Sequence, residues 1–260
     1  MNKFTLITGG ASGLGKDLAE LFAKDNNNLF LVSSNTLHLN EAKKELEEKF
    51  PKIKVEILTV DLSKPENFKL VSEFTTEKGM FINNLVNCSG FGDRTDFKDM
   101  DIDRQIKMTE LNCNAPLYLT HFYLKDMLKN NEGQIMNIAS IAGFMAAPFM
   151  STYHATKAYL LLLGEAISRE LKGTNIHLTT ICPGPFDSNF VNVAKSHYEF
   201  EKIKTITSKQ VAVLSYKAFK KKKTISVIGF KNKLLLFAIR FVPRKLVTNI
   251  AASIMKEKDK

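Results

Sequence analysis

Residues 4–15 read Phe4-Thr5-Leu6-Ile7-Thr8-Gly9-Gly10-Ala11-Ser12-Gly13-Leu14-Gly15. A short apolar run meets a glycine cluster, and Leu14, Leu18, Leu21 and Phe22 then repeat at helical spacing. Strand, glycine turn and helix in that order form a candidate cradle for a dinucleotide. Gly9 permits a tight turn, Gly13 lets the backbone approach a pyrophosphate, and Gly15 permits close packing of helix on strand. The free N–H groups of the helix start, Ser12 and Leu14 among them, then point at an anion with the positive end of the helix dipole. A plain strand–turn–helix connection uses the same residues, so the strands and helices downstream have to decide between the two.

Downstream of Gly15, strand and helix patterns alternate regularly. Strand runs are expected at Phe4–Thr8, Leu29–Ser33, Lys54–Val60, Asn84–Asn87, Gln134–Ala139 and His177–Cys182, with a late one at Thr224–Ile228. Helices are expected at Gly15–Lys24, Leu37–Lys49, Pro65–Thr76, Ile102–Leu128 and Thr152–Leu171. Most strand runs are continuously apolar, as for parallel strands covered on both faces. The pattern predicts an α/β fold: a doubly wound Rossmann-type parallel sheet flanked by helices, in a single domain spanning 1–260. Residues 1–190 form the dinucleotide-binding and catalytic core, and 191–260 a substrate lid and a basic C-terminal extension. Ligands belong at the carboxyl ends of the strands.

Composition narrows the class. A chain of 260 residues supports one large core. It has no tract of about twenty apolar residues to span a bilayer, and a strand pattern beginning at Phe4 leaves no signal-peptide pattern. Cys88, Cys113 and Cys182 show neither metal spacing nor a disulfide framework, which reads as buried free thiols in a reducing, cytoplasmic setting. The net charge of +10 is not uniform. From Lys195 onward there are 17 Lys and Arg against 4 Asp and Glu, while the preceding residues carry 20 against 23. A nucleic-acid-binding domain is not expected to segregate its charge this way, and no recognition motif accompanies it.

The end of the second strand selects the cofactor. Ser33-Ser34-Asn35 lacks the carboxylate that usually binds the adenosine ribose hydroxyls, and its hydroxyls and amide can donate to a 2′-phosphate, which favours NADP(H) over NAD(H). Asp61 reads two ways: an acceptor for the adenine amino group, or a capping or turn residue before Pro65.

Tyr153 and Lys157 stand at i and i+4 on one helix face. An ammonium near a phenol favours phenolate, and a phenol so tuned exchanges a proton with a carbonyl or alcohol oxygen. The spacing alone is commonplace on solvated helices. Ser140 closes the strand ending at Ala139, where its hydroxyl meets a developing charge. Asn112 sits inside a helix, where its propensity is poor, as a surface residue or as the anchor of a water leading from Lys157.

Together these residues resemble the short-chain dehydrogenase/reductases, in the family's own order: Thr8–Gly15, Asp61-Leu62, Asn87-Cys88-Ser89-Gly90, Asn112, Ser140, Tyr153 with Lys157, and Pro183-Gly184 followed by Phe186 and Ser188. The match is close over residues 3–190. The resemblance implies that these segments contact the cofactor, Tyr153 and Lys157 included. It implies Tyr153 as general acid/base, Lys157 lowering its pKa, Ser140 on the substrate oxygen and Asn112 on a relay water. It implies hydride transfer between a nicotinamide and a small-molecule carbonyl or alcohol, and a homodimer or homotetramer. Cys88 and Ser89 depart from the family's usual Asn-Ala pair but are small.

The apolar segment Ile141–Met150 suggests a hydrophobic or bulky substrate, or simply packs under a lid running over Asp187–Tyr198. In the tail, Lys231, Lys233, Arg240, Arg244 and Lys245 surround Leu234–Ile239, Phe241 and Val242. This face is expected to pack on the domain or on a second subunit, the alternative being contact with an anionic membrane surface. Two other functional readings stand beside the enzyme: a dinucleotide-binding sensor, and a membrane-surface reductase of lipids.

Overall fold

Within β2 (Asn28–Ser33), Leu29 and Leu31 enter one hydrophobic core while Phe30 and Val32 enter another. Side chains alternate across a strand, so an unbroken apolar run is what a strand between two cores requires. A computed structural model describes residues 2–187 and 206–256. In chain order its strands are β1 (Asn2–Thr8), β2, β3 (Val55–Thr59), β4 (Met80–Asn87), β5 (Gly133–Ile138), β6 (Ile176–Cys182), β7 (Phe186–Asp187), β8 (Ile206–Thr207) and β9 (Ile225–Val227). Seven of them make one parallel sheet in the order β3-β2-β1-β4-β5-β6-β9. The strand order reverses between β1 and β4, the switch point at which doubly wound folds open a crevice. The late strand does extend the sheet, through β6.

Helices cover both faces. On one side α1 (Gly13–Lys24) supplies Leu18 and Phe22, and α2 (Thr36–Lys49) supplies Leu39 and Leu46. On the other, α3 (Phe68–Glu77) supplies Val71, and α5 (Ala115–Asn130) supplies Leu119 and Met127. The single helix expected over 102–128 is interrupted. α4 (Ile102–Thr109) passes through a π-helical turn, Glu110–Asn114, before α5 begins with Pro116 in its first turn. Proline has no N–H to donate, and the turn absorbs the change of ladder just ahead of it. Asn112 lies in that turn. α6 (Ser151–Glu170) carries Tyr153 and Lys157, and Gly164 lets it lie close on β6, where an added Cβ would stand 2.2 Å from Thr180 Oγ1.

The C-terminal quarter is joined to the N-terminal one. α7 (Ser208–Lys220) begins with a capping box between Thr207 and Gln210. It packs on α1, with Phe22 edge-on to Tyr216 and Phe219, and Asp25 bonded to Tyr216 and Lys220. α8 (Phe230–Ala238) and α9 (Arg244–Met255) complete the described chain. Of the packing expected on the domain or on a second subunit, the domain accounts for only a small part. Leu236 and Ala251 are the buried residues of these two helices, while Phe230 is 81% and Phe237 59% exposed. α8 is held through Leu236 and through Asn232, which donates to the Ile228 carbonyl, so its opposite stripe has no covering element among the described residues. No helix among the described residues is long and apolar enough to cross a membrane.

Candidate active site

The crevice at the switch point is held by one hydroxyl. Thr8 Oγ1, at the end of β1, accepts from the backbone N–H of Cys88 (3.0 Å) and Ser89 (3.1 Å) beyond β4. Ser89 Oγ also lies 3.0 Å from it. The two loops flanking the crevice are therefore fastened to each other. Gly9 turns with φ of 69°, and Gly15 is required by contact: a Cβ there would lie 2.1 Å from the Gly9 carbonyl oxygen. A Cβ on Gly13, by contrast, would meet nothing within 4 Å. Ser12 precedes α1 without a side-chain cap, and the helix ladder begins at Lys16 N bonded to Ser12 O. The first turn of α1 thus faces open space, as an anion site requires.

The residues expected at the adenosine half have local duties. Asn35 is the N-cap of α2, its side chain accepting from His38 N (3.0 Å), while Ser34 is exposed. Asp61 Oδ1 accepts from Ser63 N and Oγ at 2.9 and 2.7 Å, which makes Asp61 a turn residue. The side chain of Leu62 lies in the core. Asn87 is buried, and its amide donates to Thr120 Oγ1 (3.1 Å) and Asn137 Oδ1 (2.8 Å), joining β4, α5 and β5.

Beyond the switch point, four side chains converge. Ser140, after β5, accepts from Ala142 N (3.1 Å), donates to the Pro183 carbonyl (3.4 Å), and lies close enough to the Tyr153 phenol to lower its pKa. Lys157 is buried, its ammonium donating to the Ile138 carbonyl (2.9 Å) and lying 5.8 Å from the Tyr153 ring centre. Asn112 donates to the Phe91 carbonyl (2.9 Å) and Thr156 Oγ1 (3.0 Å), and accepts from Phe91 N (3.1 Å). Gly90 joins the halves: a Cβ there would stand 2.9 Å from Asn112 Oδ1 and 3.4 Å from Lys157 Nζ.

Electrostatics differ from the simple pairing expected of a phenol and an ammonium. Packing around the Tyr153 phenol pushes it up to about 12, opposed by the Ser140 hydroxyl. Burial pushes Lys157 down to about 8. The low-dielectric surroundings act on both groups in the direction of their neutral forms. The three cysteines, far apart in sequence, all lie near enough to Lys157 to act on its charge, and burial holds their thiols at about 12, 11 and 12. They are unreactive neighbours.

Other residues have roles that their local sequence does not announce. Phe186 pairs with Ile206 in the short β7–β8 ladder, and Gly184 gives room to Asn232 of α8, whose amide a Cβ would approach to 2.4 Å. Ser188, and the lid expected beyond Asp187, lie outside the described residues. Asp93, buried and ion-paired with Arg104, anchors the 91–97 loop; a lone acid in a loop carries no pattern by which to find it. Thr156 also belongs to the site without a motif role of its own, and Thr8, inside the glycine motif, has a tying role that the motif does not state.

From the first strand to beyond β6, residues 3–199 match the short chain dehydrogenase model. The chain belongs to that family. As a short chain dehydrogenase it is an oxidoreductase dependent on a nicotinamide dinucleotide. An uncharacterized oxidoreductase of Staphylococcus saprophyticus is 30% identical over 187 residues, covering 72% of this chain and 80% of that one. Dehydrogenase/reductase SDR family member 7B of Mus musculus is 26% identical, covering 99% and 83%. Two solved structures share the fold. A short-chain dehydrogenase from Sphingobium yanoikuyae in complex with NADPH has a TM-score of 0.83 at 22% identity, covering 100% of this chain and 98% of its own. One from Burkholderia phymatum in complex with NAD has a TM-score of 0.82 at 19%, covering 95% and 96%. Both cofactor forms thus occur on this fold.

Proposed function

We propose that this short chain dehydrogenase interconverts a carbonyl and an alcohol on an apolar or bulky small molecule, with Tyr153 as proton donor and acceptor and NADP(H) preferred over NAD(H). The observation that carries the reading is the buried Lys157 ammonium 5.8 Å from the Tyr153 ring centre, with the Ser140 hydroxyl acting on the phenol and Gly90 between Lys157 and the switch-point crevice. The crevice suits a dinucleotide. Open space over Gly13 and the uncapped first turn of α1 suit a phosphate, and the absence of a side chain at Gly90 keeps the backbone close to Lys157 and Asn112.

A bound nicotinamide supplies or accepts the hydride. The protein's part is proton transfer and orientation. Ser140 holds the substrate oxygen against the Tyr153 hydroxyl and stabilises negative charge on it. Tyr153 gives up its proton in reduction and takes one in oxidation. Lys157, charged near neutral pH with a pKa of about 8, stabilises the phenolate and would hold the nicotinamide ribose of a bound cofactor. Asn112 Oδ1, already fixed by Phe91 N, keeps a second lone pair for a relay water beside Lys157. Support for an apolar substrate comes from the 141–150 segment, where Phe144 and Met145 are partly exposed beside Ser140. Support for NADP(H) comes from the absence of a carboxylate at Ser33–Asn35, with Ser34 exposed. In this reading the protein is cytoplasmic and works as a homodimer or homotetramer. Exposed Ile102 and Ile106 on α4 and Leu162 on α6 support burial against a second copy.

Tyr153→Phe tests the assignment. Hydride transfer with a panel of bulky ketones should fall by about 10²–10⁴-fold, while dinucleotide affinity measured by fluorescence stays within about twofold. Undiminished turnover in the variant would refute Tyr153 as the proton donor. Turnover of any carbonyl by the wild type disposes of a purely sensory role.

A further inference from the structure

We propose that α8 and α9 form a docking face for an anionic lipid bilayer. In α8 the exposed side chains Phe230, Leu234, Phe237 and, one turn on, Phe241 recur at i, i+4, i+7 and i+11, and they are 81, 59, 59 and 75% exposed. That spacing puts them on one helical stripe. The opposite side holds α8 to the domain, through buried Leu236 and the Asn232 bond to Ile228. Exposed Lys231 flanks the stripe on one side, and exposed Lys233 and Arg240 flank it on the other. α9 repeats the arrangement: Leu246, Ile250 and Ile254 stand at i, i+4 and i+8, each about half exposed, with exposed Arg244, Lys245 and Lys256.

Charge identifies the occupant. Between Ile206 and Lys256 the sequence has twelve Lys and Arg and no Asp or Glu. A symmetric second copy would set these cations against one another with no acid in the segment to pair them. An acidic polymer would pair the cations and leave four large apolar side chains in water. An anionic bilayer satisfies both: phosphates take the Lys and Arg heads while phenyl and leucyl groups enter the acyl boundary. At nine residues α8 is too short to span, so it lies in the interface. Docking there sets lipid beside the candidate active site, since α8 packs against the 141–144 turn and Asn232 fills the space over Gly184.

Flotation of the full chain with vesicles of equal parts phosphatidylglycerol and phosphatidylcholine tests this without reference to activity, so its failure is separable from failure of the catalytic assignment. The protein should float with these vesicles and not with phosphatidylcholine alone, and added salt should release it. Phe230→Ser/Phe237→Ser and Lys231→Glu/Lys233→Glu/Arg240→Glu should each lower the partition coefficient at least roughly tenfold, with thermal midpoint and dinucleotide affinity unchanged. Because the chain has no tryptophan, Phe237→Trp gives a single reporter whose emission should shift to the blue on anionic vesicles alone. Failure of the wild type to float, flotation of both variants equal to that of the wild type, or a sedimentation mass showing that Phe237→Ser breaks a dimer while vesicle binding is unaffected would each overturn the proposal.

Discussion

The Lys157 ammonium donates a 2.9 Å hydrogen bond to the carbonyl of Ile138, two residues before Ser140 on the chain leaving β5. The bond sets the height of the charge beneath the crevice, and burial brings its pKa from 10.5 to about 8. Below pH 8 the folded protein carries a buried cation that the unfolded chain would solvate, and above pH 8 the folded form sheds the proton first. Stability contributed by this group therefore rises with pH between 8 and 10.5. Urea melts of wild type and Lys157→Met should show their difference in unfolding free energy moving in favour of the wild type by about 2–3 kcal/mol between pH 7 and 10. A difference that stays flat over that range would mean the ammonium is solvated.

Thr8 holds the two sides of the crevice, and Thr8→Val keeps its shape while removing the acceptor. The Cys88 and Ser89 N–H groups then lose their partner. Each unsatisfied donor costs about 1–3 kcal/mol where water cannot replace the bond. Thermal melts should fall accordingly, and dinucleotide affinity should weaken more than overall stability does, because the loops that lose their tie are those of the binding crevice.

Gly13 and Gly15 fail for different reasons, and alanine separates them. At Gly15 the new methyl collides with the Gly9 carbonyl, a backbone atom that cannot step aside. Gly15→Ala should cost the unliganded protein about 1–3 kcal/mol. At Gly13 the methyl meets open space, so only the left-handed backbone (φ of 49°) is strained, by roughly 1–2 kcal/mol. If a pyrophosphate approaches there, Gly13→Ala should bind dinucleotide at least roughly tenfold more weakly than its modest loss of stability implies. Calorimetric titration of both variants decides between the two causes.

Ser34→Asp addresses cofactor choice. A carboxylate at that exposed position would stand against a 2′-phosphate, and like-charge juxtaposition costs several kcal/mol. The kcat/KM for NADPH should drop by more than about tenfold, while that for NADH holds or rises. Equal losses with both cofactors would place the 2′ position elsewhere.

The sheet is legible in the sequence because its strands are buried on both faces, so Leu29–Val32 reads as strand whichever face is considered. The glycine turn is legible for a similar reason, since Gly15 answers to a contact that no other residue survives. Features set by long-range geometry are not. The π-turn around Asn112 depends on Phe91, whose backbone it binds, and nothing in the local sequence names that partner. The low pKa of Lys157 comes from enclosure by elements distant along the chain, so spacing to Tyr153 captures the pair and not its surroundings. The exposure of the α8 stripe is equally invisible, because an amphipathic pattern reports that a helix has an apolar side without saying what covers it.

The packing of α7 on α1 bears on how the chain comes off the ribosome. Phe22 meets its aromatic neighbours only when Tyr216 and Phe219 have emerged, and β6 gains its outer partner only with Ile225–Val227. Until then a nascent chain holding every strand up to β6 keeps an apolar helix face and an open sheet edge exposed to solvent. Completion of the fold therefore waits on the emergence of residues 216–227, and the interval before it is when a chaperone has most to bind.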